Sequence, residues 1–330
     1  MRAVVYNGAG DADVINIREV PTPEPGSDDA QVAVAYVGLN RADILERKGQ
    51  YPSPLGKGAV PGLEFSGVVS KIGGNVKNVK NGDRVCGLVP GGAHAGYLIT
   101  EALTLVPVPD SVSLEAAAAL PEAYMTAFDA LFTRGLFSMG QSVLIHAVGS
   151  SVGLAAIALV KNAGGRSIGT SRTPAKLERA KPHGLDVAIL LDDSWPDKVR
   201  AATNGRGVDV VLDFVGAPLL DLNVGAVAVG GRIVQIGTLG GYKASFALNA
   251  LMAKRATLVG TMLRSRPLDE RIVLARAFTL QLGPLFARGA LRAEIDRVVP
   301  FEQMAEAHRV MEANENFGKI VIAVSPAPLI

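Results

Sequence analysis

The chain has 330 residues, 48% of them hydrophobic and 19% charged. That apolar content excludes intrinsic disorder, and the length exceeds what one hydrophobic core usually serves, which favours two domains over one large α/β barrel. A formal net charge of +2, from 33 Lys and Arg against 31 Asp and Glu with no block of like charges, leaves no electrostatic footprint for nucleic acid or anionic lipid.

Residues 1–6 lack the charged start, apolar core and cleavage site of a secretory signal. Up to about residue 120, β-rich runs at 32–37, 65–72 and 84–88 alternate with glycine and proline clusters, Pro21-Thr22-Pro23-Glu24-Pro25-Gly26 and Pro52-Ser53-Pro54-Leu55-Gly56 among them. That texture predicts a compact, mostly antiparallel β unit with long loops. It carries Cys86, the only cysteine, which excludes an internal disulfide, reads as a small buried residue and fits a cytoplasmic location. The Ala-rich segment 115–119 predicts a helix.

Beyond Gly140, strands are expected at 143–148, 166–170, 187–191, 208–213 and 232–237, with helices beginning near Val152, Pro174, Trp195 and Pro218. A last strand, 257–262, follows a longer connection. Strand and helix in alternation imply a parallel sheet covered on both faces, the doubly wound architecture. The apolar stretch 143–160 reaches membrane-spanning length, but His146 and Gly149-Ser150-Ser151 interrupt it. It reads as a buried strand running into a buried helix, and no membrane partner is expected. The apolar edge 258–262 invites pairing with a second copy, so a homodimer is expected. A long amphipathic helix over 268–288 then leads to strands at 295–300 and 320–324, which have no place in the alternating block and return to the β unit.

Chemistry concentrates at two strand ends. After the first strand of the alternating block comes Gly149-Ser150-Ser151-Val152-Gly153, whose small residues let a backbone turn approach a pyrophosphate at a helix N-terminus. The usual G-x-G-x-x-G spacing is not matched, so the surrounding strand and helix pattern carries this reading. After the second strand, where an NAD site places an acid, stand Thr170-Ser171-Arg172-Thr173-Pro174-Ala175-Lys176. Two cations and hydroxyl donors suit the 2′-phosphate of NADP by charge-assisted hydrogen bonds.

Further segments run in order through nearly the whole chain: Leu39-Asn40-Arg41-Ala42-Asp43, Gly49-Gln50-Tyr51-Pro52, Gly62-Leu63-Glu64-Phe65-Ser66-Gly67, Gly82-Asp83-Arg84-Val85, Pro121-Glu122-Ala123-Tyr124-Met125-Thr126, Val143-Leu144-Ile145-His146-Ala147, Leu263-Arg264-Ser265-Arg266 and Gly318-Lys319-Ile320-Val321. With them the chain resembles the zinc-free, zeta-crystallin-like quinone oxidoreductase branch of the medium-chain dehydrogenase/reductase superfamily, closest to its tumour-suppressor-inducible members. The resemblance implies an α/β chain with a GroES-like catalytic domain of residues 1–122 and 266–330 around a Rossmann NADPH-binding domain of residues 123–265, and commonly a homodimer. It places Asn40 and Tyr51 beside the nicotinamide as the catalytic pair and Thr126 near the cofactor. Gly149, Ser150, Ser151, Val152 and Gly153 would hold the pyrophosphate, and Ser171, Arg172 and Lys176 the 2′-phosphate. Gly216, Ile236 and Gly237 would line the adenosine and ribose, Leu263 the nicotinamide, and Phe317 and Lys319 the cleft wall. Relatives usually carry glycine where this chain has Ser151, and many carry a tyrosine where it has Leu191.

Zinc-dependent members of the superfamily have a Gly-His-Glu segment and a catalytic cysteine in the first domain, whereas here Leu63 replaces the histidine and residues 40–43 contain no cysteine. A catalytic zinc needs three protein ligands and an open position, so no metal is expected. Histidines 94, 146, 183 and 308 read as packing or surface residues, and Glu64 as a structural acid paired with an arginine. The expected activity is NADPH-dependent reduction of quinones or related conjugated carbonyls. Two alternatives stay open: an enoyl reductase in which Tyr51 delivers a proton, and a non-enzymatic crystallin-like or regulatory protein that binds NADPH without turning it over.

Overall fold

The structure, a computed structural model, describes residues 1–51, 53–56 and 58–324. Pro52 of the quoted motifs, and residues 325–330 of the expected first domain, lie outside the described residues. Contacts divide the chain into two compact units, Met1–Met125 with Leu263–Ile330, and Thr126–Met262.

The first unit opens with a hairpin of β1 (Arg2–Tyr6) and β2 (Ile15–Glu19). The long β3 (Asp29–Leu39) leads into α1 (Arg41–Arg47), and β4 (Glu64–Ile72), β5 (Arg84–Leu88), β6 (Tyr97–Glu101) and β7 (Val106–Pro107) follow. Then come α2 (Leu114–Ala117) and α3 (Pro121–Phe128), the former capped by Ser113 Oγ, which accepts from the Ala116 amide at 3.1 Å. Valines, leucines and alanines of β3, β4 and β5, with Phe65 and Phe301, make one core. Cys86 is buried, and burial raises its thiol pKa.

The second unit alternates as expected. Its elements are β8 (Ser142–Ile145), α4 (Ser151–Asn162), β9 (Arg166–Ser171), α5 (Pro174–Ala180), β10 (Val187–Leu190), α6 (Trp195–Ala202), β11 (Val208–Asp213), α7 (Leu220–Ala226), β12 (Val227–Gln235), α8 (Leu248–Lys254) and β13 (Thr257–Gly260). All six strands pair in parallel, in the order β10-β9-β8-β11-β12-β13. The strand order reverses between β8 and β11, which is where doubly wound sheets open a crevice at their carboxyl ends. The first strand stops at Ile145 rather than running to residue 148, because Ala147 takes a left-handed backbone with φ at 48° and turns the chain.

The chain returns to the first unit through α9 (Leu268–Gln281), α10 (Gly283–Ala287), β14 (Ile295–Pro300), α11 (Met304–Glu312) and β15 (Lys319–Ala323). The single helix expected over 268–288 is two helices, since Gly283-Pro284 removes an amide donor and starts a new turn. β15 lies between β14, which it pairs in parallel, and β3, which it pairs antiparallel. Among the described residues no helix is long and apolar enough to cross a membrane.

Candidate functional site

In the second unit the loop after β8 turns at Ala147 and enters α4 at Ser151. Ser150 caps the helix, its Oγ accepting from the Gly153 amide at 3.1 Å. The amides of Ser151 and Val152 precede any intrahelical acceptor and face the helix's positive end, the donor set an anion needs. Gly153 is required by packing: a Cβ there would lie 2.8 Å from the Val148 carbonyl oxygen. Ser151 is the first helical residue and half-buried, so its side chain is accommodated without closing the turn.

At the end of β9, Ser171 is buried and its Oγ accepts from the Thr173 amide at 3.0 Å. Arg172 is exposed and Lys176 half-buried at the start of α5, with no carboxylate between Arg166 and Leu177. This donor set fits a phosphate monoester. Gly216 has φ at 86°, and a Cβ on it would meet the Gly241 carbonyl at 2.7 Å. Ile236 and Gly237 donate their amides to the Asp213 carbonyl. Thr126 is buried on α3.

Behind these strand ends runs a buried relay that composition and spacing did not reveal. His146 Nδ1 lies 2.7 Å from Thr170 Oγ1 and its Nε2 lies 2.8 Å from Asn223 Oδ1. Asn223 Nδ2 donates to Asp213 Oδ2 at 2.9 Å, and Asp213 Oδ1 accepts from the amides of Val215 and Gly216. Since Asn223 Oδ1 only accepts, His146 carries its proton on Nε2 and takes one from Thr170, a neutral imidazole whose pKa burial lowers. His146 therefore does more than pack: it links the ends of β8, β9 and β11. A carboxylate closing the apolar run Val210-Val211-Leu212-Asp213 was the sequence signal for it.

In the first unit, Asn40, Glu64 and Lys319 form a closed buried triangle. Lys319 Nζ donates to Glu64 Oε2 at 2.6 Å and to Asn40 Oδ1 at 2.5 Å, and Asn40 Nδ2 donates to Glu64 Oε2 at 2.9 Å and to the Gly38 carbonyl at 3.1 Å. Glu64 Oε1 accepts from the Glu122 amide at 2.8 Å. The partner of Glu64 is thus a lysine and not the expected arginine. Lys319 and Phe317, expected in the cleft wall, are each 1% exposed. Both amide hydrogens of Asn40 are engaged, which leaves it an acceptor lone pair and no donor for a bound carbonyl. Gly38 has to be glycine, for a Cβ would come within 2.3 Å of Glu64 Oε2. Asp43, fully buried on α1, accepts from the Asn40 amide at 2.8 Å, and burial raises its pKa to about 8.

Tyr51 is half-buried beneath the Arg264 guanidinium, whose carbon lies 5.5 Å from the ring centroid. Burial raises the phenol pKa, with Arg264 opposing, so the hydroxyl is protonated at neutral pH. Arg264 is fixed by the Pro90 carbonyl, 2.8 Å from Nε, and by Glu46. Leu263 beside it is half-buried. Leu63 is apolar and 2% exposed, and among the described residues no group of three or more His, Cys, Asp and Glu could hold a metal ion. The residues present do not fit a catalytic zinc.

Residues 26–110 match the alcohol dehydrogenase GroES-like domain and residues 151–278 the zinc-binding dehydrogenase family. The chain is 33% identical over 323 residues to a phenolphthiocerol/phthiocerol polyketide synthase of Mycobacterium tuberculosis, covering 96% of this chain and only 14% of that protein. It is 30% identical over 312 residues to quinone oxidoreductase-like protein 2 of Mus musculus, covering 94% of this chain and 89% of the relative. Among solved structures, an NAD-dependent alcohol dehydrogenase superposes with a TM-score of 0.89 at 30% identity, over 98% of this chain and 100% of the other. The Escherichia coli quinone oxidoreductase complexed with NADPH gives 0.88 at 26% identity, over 98% and 100%.

Proposed function

The chain belongs to the medium-chain dehydrogenase/reductase superfamily of oxidoreductases, and from that premise we propose that it is an NADPH-dependent reductase of quinones or related conjugated carbonyls, working without zinc, as a homodimer, in the cytoplasm. The observation that carries the cofactor choice is the end of β9, where Ser171, Arg172 and Lys176 stand without an acid. Bound NADPH supplies a hydride. Within the loop of Gly149 to Gly153, the Ser151 and Val152 amides would face its pyrophosphate, and Gly216 and Gly237 would admit its backbone-close ribose and adenosine.

The acceptor side follows from what the first unit lacks. Reduction of a simple ketone needs an electrophile to polarise the oxygen, and Leu63 and the closed triangle of Asn40, Glu64 and Lys319 provide no metal ligand set. A quinone is already electron-poor, so holding it in place supplies most of what the reaction needs. Tyr51 is the donor for the developing oxyanion, since Asn40 keeps no free amide hydrogen. The same protonated phenol favours a second reading, an enoyl reductase in which Tyr51 delivers a proton to carbon.

Steady-state rates with NADPH and NADH, across quinones and enoyl thioesters, test both readings. Replacing Arg172 and Lys176 together with alanine is expected to weaken NADPH binding by about 2 kcal/mol, a factor of tens, and to leave NADH nearly unchanged. Equal affinity of the native protein for the two cofactors defeats the NADPH assignment, and turnover of an enoyl thioester without any quinone reduction replaces the first reading with the second.

A further inference from the structure

The first unit contains a largely apolar pocket that adjoins the residues assigned above, Leu263 and Arg264 being shared with it, and the use inferred for it here rests on that placement. Leu63, Leu88, Met125 and Leu274 give it aliphatic walls, and Arg264 and Arg271 also line it. Each arginine keeps one buried guanidinium nitrogen with no hydrogen-bond partner among the described residues, Nη1 of Arg264 and Nε of Arg271. The other contacts of Arg264 are committed to Pro90 and Glu46, so that guanidinium cannot turn away to satisfy its last edge. Buried donors without a partner are costly, and two arginines that each carry one and line the same largely apolar pocket point to what relieves the cost: an acceptor with two oxygens and an apolar body.

We propose that this pocket binds the carboxylate of a flat, monoanionic aromatic or conjugated acid, its two oxygens accepting from Arg264 Nη1 and Arg271 Nε. The aliphatic walls cover the ring or conjugated chain, which a phosphate lacks. Glu122 lines the same pocket, and its charge opposes a dianion more than a monoanion. Burial also lowers the Arg271 pKa, a penalty that an anionic ligand offsets.

Sodium benzoate and neutral benzamide, titrated into the full-length protein without cofactor and followed by calorimetry, form the test, so its result does not depend on whether quinones are reduced. Benzoate is expected to bind about tenfold or more tighter than benzamide, with the difference shrinking as salt is raised. Arg271→Gln should bring benzoate down to the benzamide level. Ala275→Leu, which fills the pocket and keeps both arginines, should weaken benzoate even if the first variant does not fold. Equal affinity for the two compounds, benzoate binding that survives both substitutions, or no benzoate binding at tens of millimolar overturns the assignment.

Discussion

The family resemblance pairs Tyr51 with Asn40, and the side-chain geometry separates them. Asn40 is an internal strut between Lys319 and Glu64, while Tyr51 retains its hydroxyl beneath a guanidinium held by two anchors. Tyr51→Phe is therefore expected to lower quinone turnover several-fold, through loss of one hydrogen bond to the developing oxyanion, and to lower enoyl thioester turnover by orders of magnitude if the phenol is the proton donor. Steady-state kcat for both substrate classes reads this directly, and unchanged rates with both would reduce Tyr51 to a packing residue. The cations after β9 and the small residues before α4 were legible because each set is contiguous in the chain. The triangle was not: Lys319 and Glu64 are 255 positions apart, and nothing local to either tells which buried acid meets which buried base.

At the scale of elements, the second unit was read well for a physical reason. Strands buried on both faces are nearly continuous apolar runs, and β11 coincides with the expected 208–213. Its errors fall where that signal fails. β12 begins at Val227 instead of residue 232, because Gly230-Gly231 reads as a turn although Gly230, with φ at 81°, sits inside the strand. α8 was missed altogether, having no buried residue to impose a helical period. Exposed apolar side chains gather in the same stretch: Leu258 on β13 is 39% exposed, Met262 just beyond it 54% and Met252 on α8 75%, and β13 is an edge strand with no neighbour on its outer side among the described residues. We expect two copies to join there across a two-fold axis. Light scattering at micromolar concentration should give a dimer for the native chain and a monomer for Leu258→Glu, which sets like charges against each other; a native monomer would count against this edge.

For the whole molecule, buried histidines shape the pH dependence of stability. Burial lowers the pKa values of His94, to about 3, and of His146 and His308, so each is neutral when folded and takes up a proton on unfolding below about pH 6.5. Asp43 acts in the opposite sense, holding its proton when folded up to about pH 8 and losing it on unfolding above the ordinary carboxylate range. Between about pH 4 and 6.5 the unfolded chain binds more protons on balance, so stability rises with pH; from there to about 8 only Asp43 contributes and stability falls by up to about 1.4 kcal/mol per pH unit. Urea midpoints at pH 4.5, 6.5 and 8 are expected to peak at the middle value, and a monotonic rise would contradict the Asp43 assignment. The position of β15 has another consequence, in time. β3 and β15 pair across the whole length of the second unit, so the first sheet is completed by a strand made long after its partner. The second unit, contiguous in the chain, has every partner it needs within 137 residues, Thr126–Met262. Contacts of low sequence separation form first and large chains fold domain by domain. Pulse-labelled hydrogen exchange during refolding should protect β8 and β11 before β3, and simultaneous protection would show that the two units fold as one.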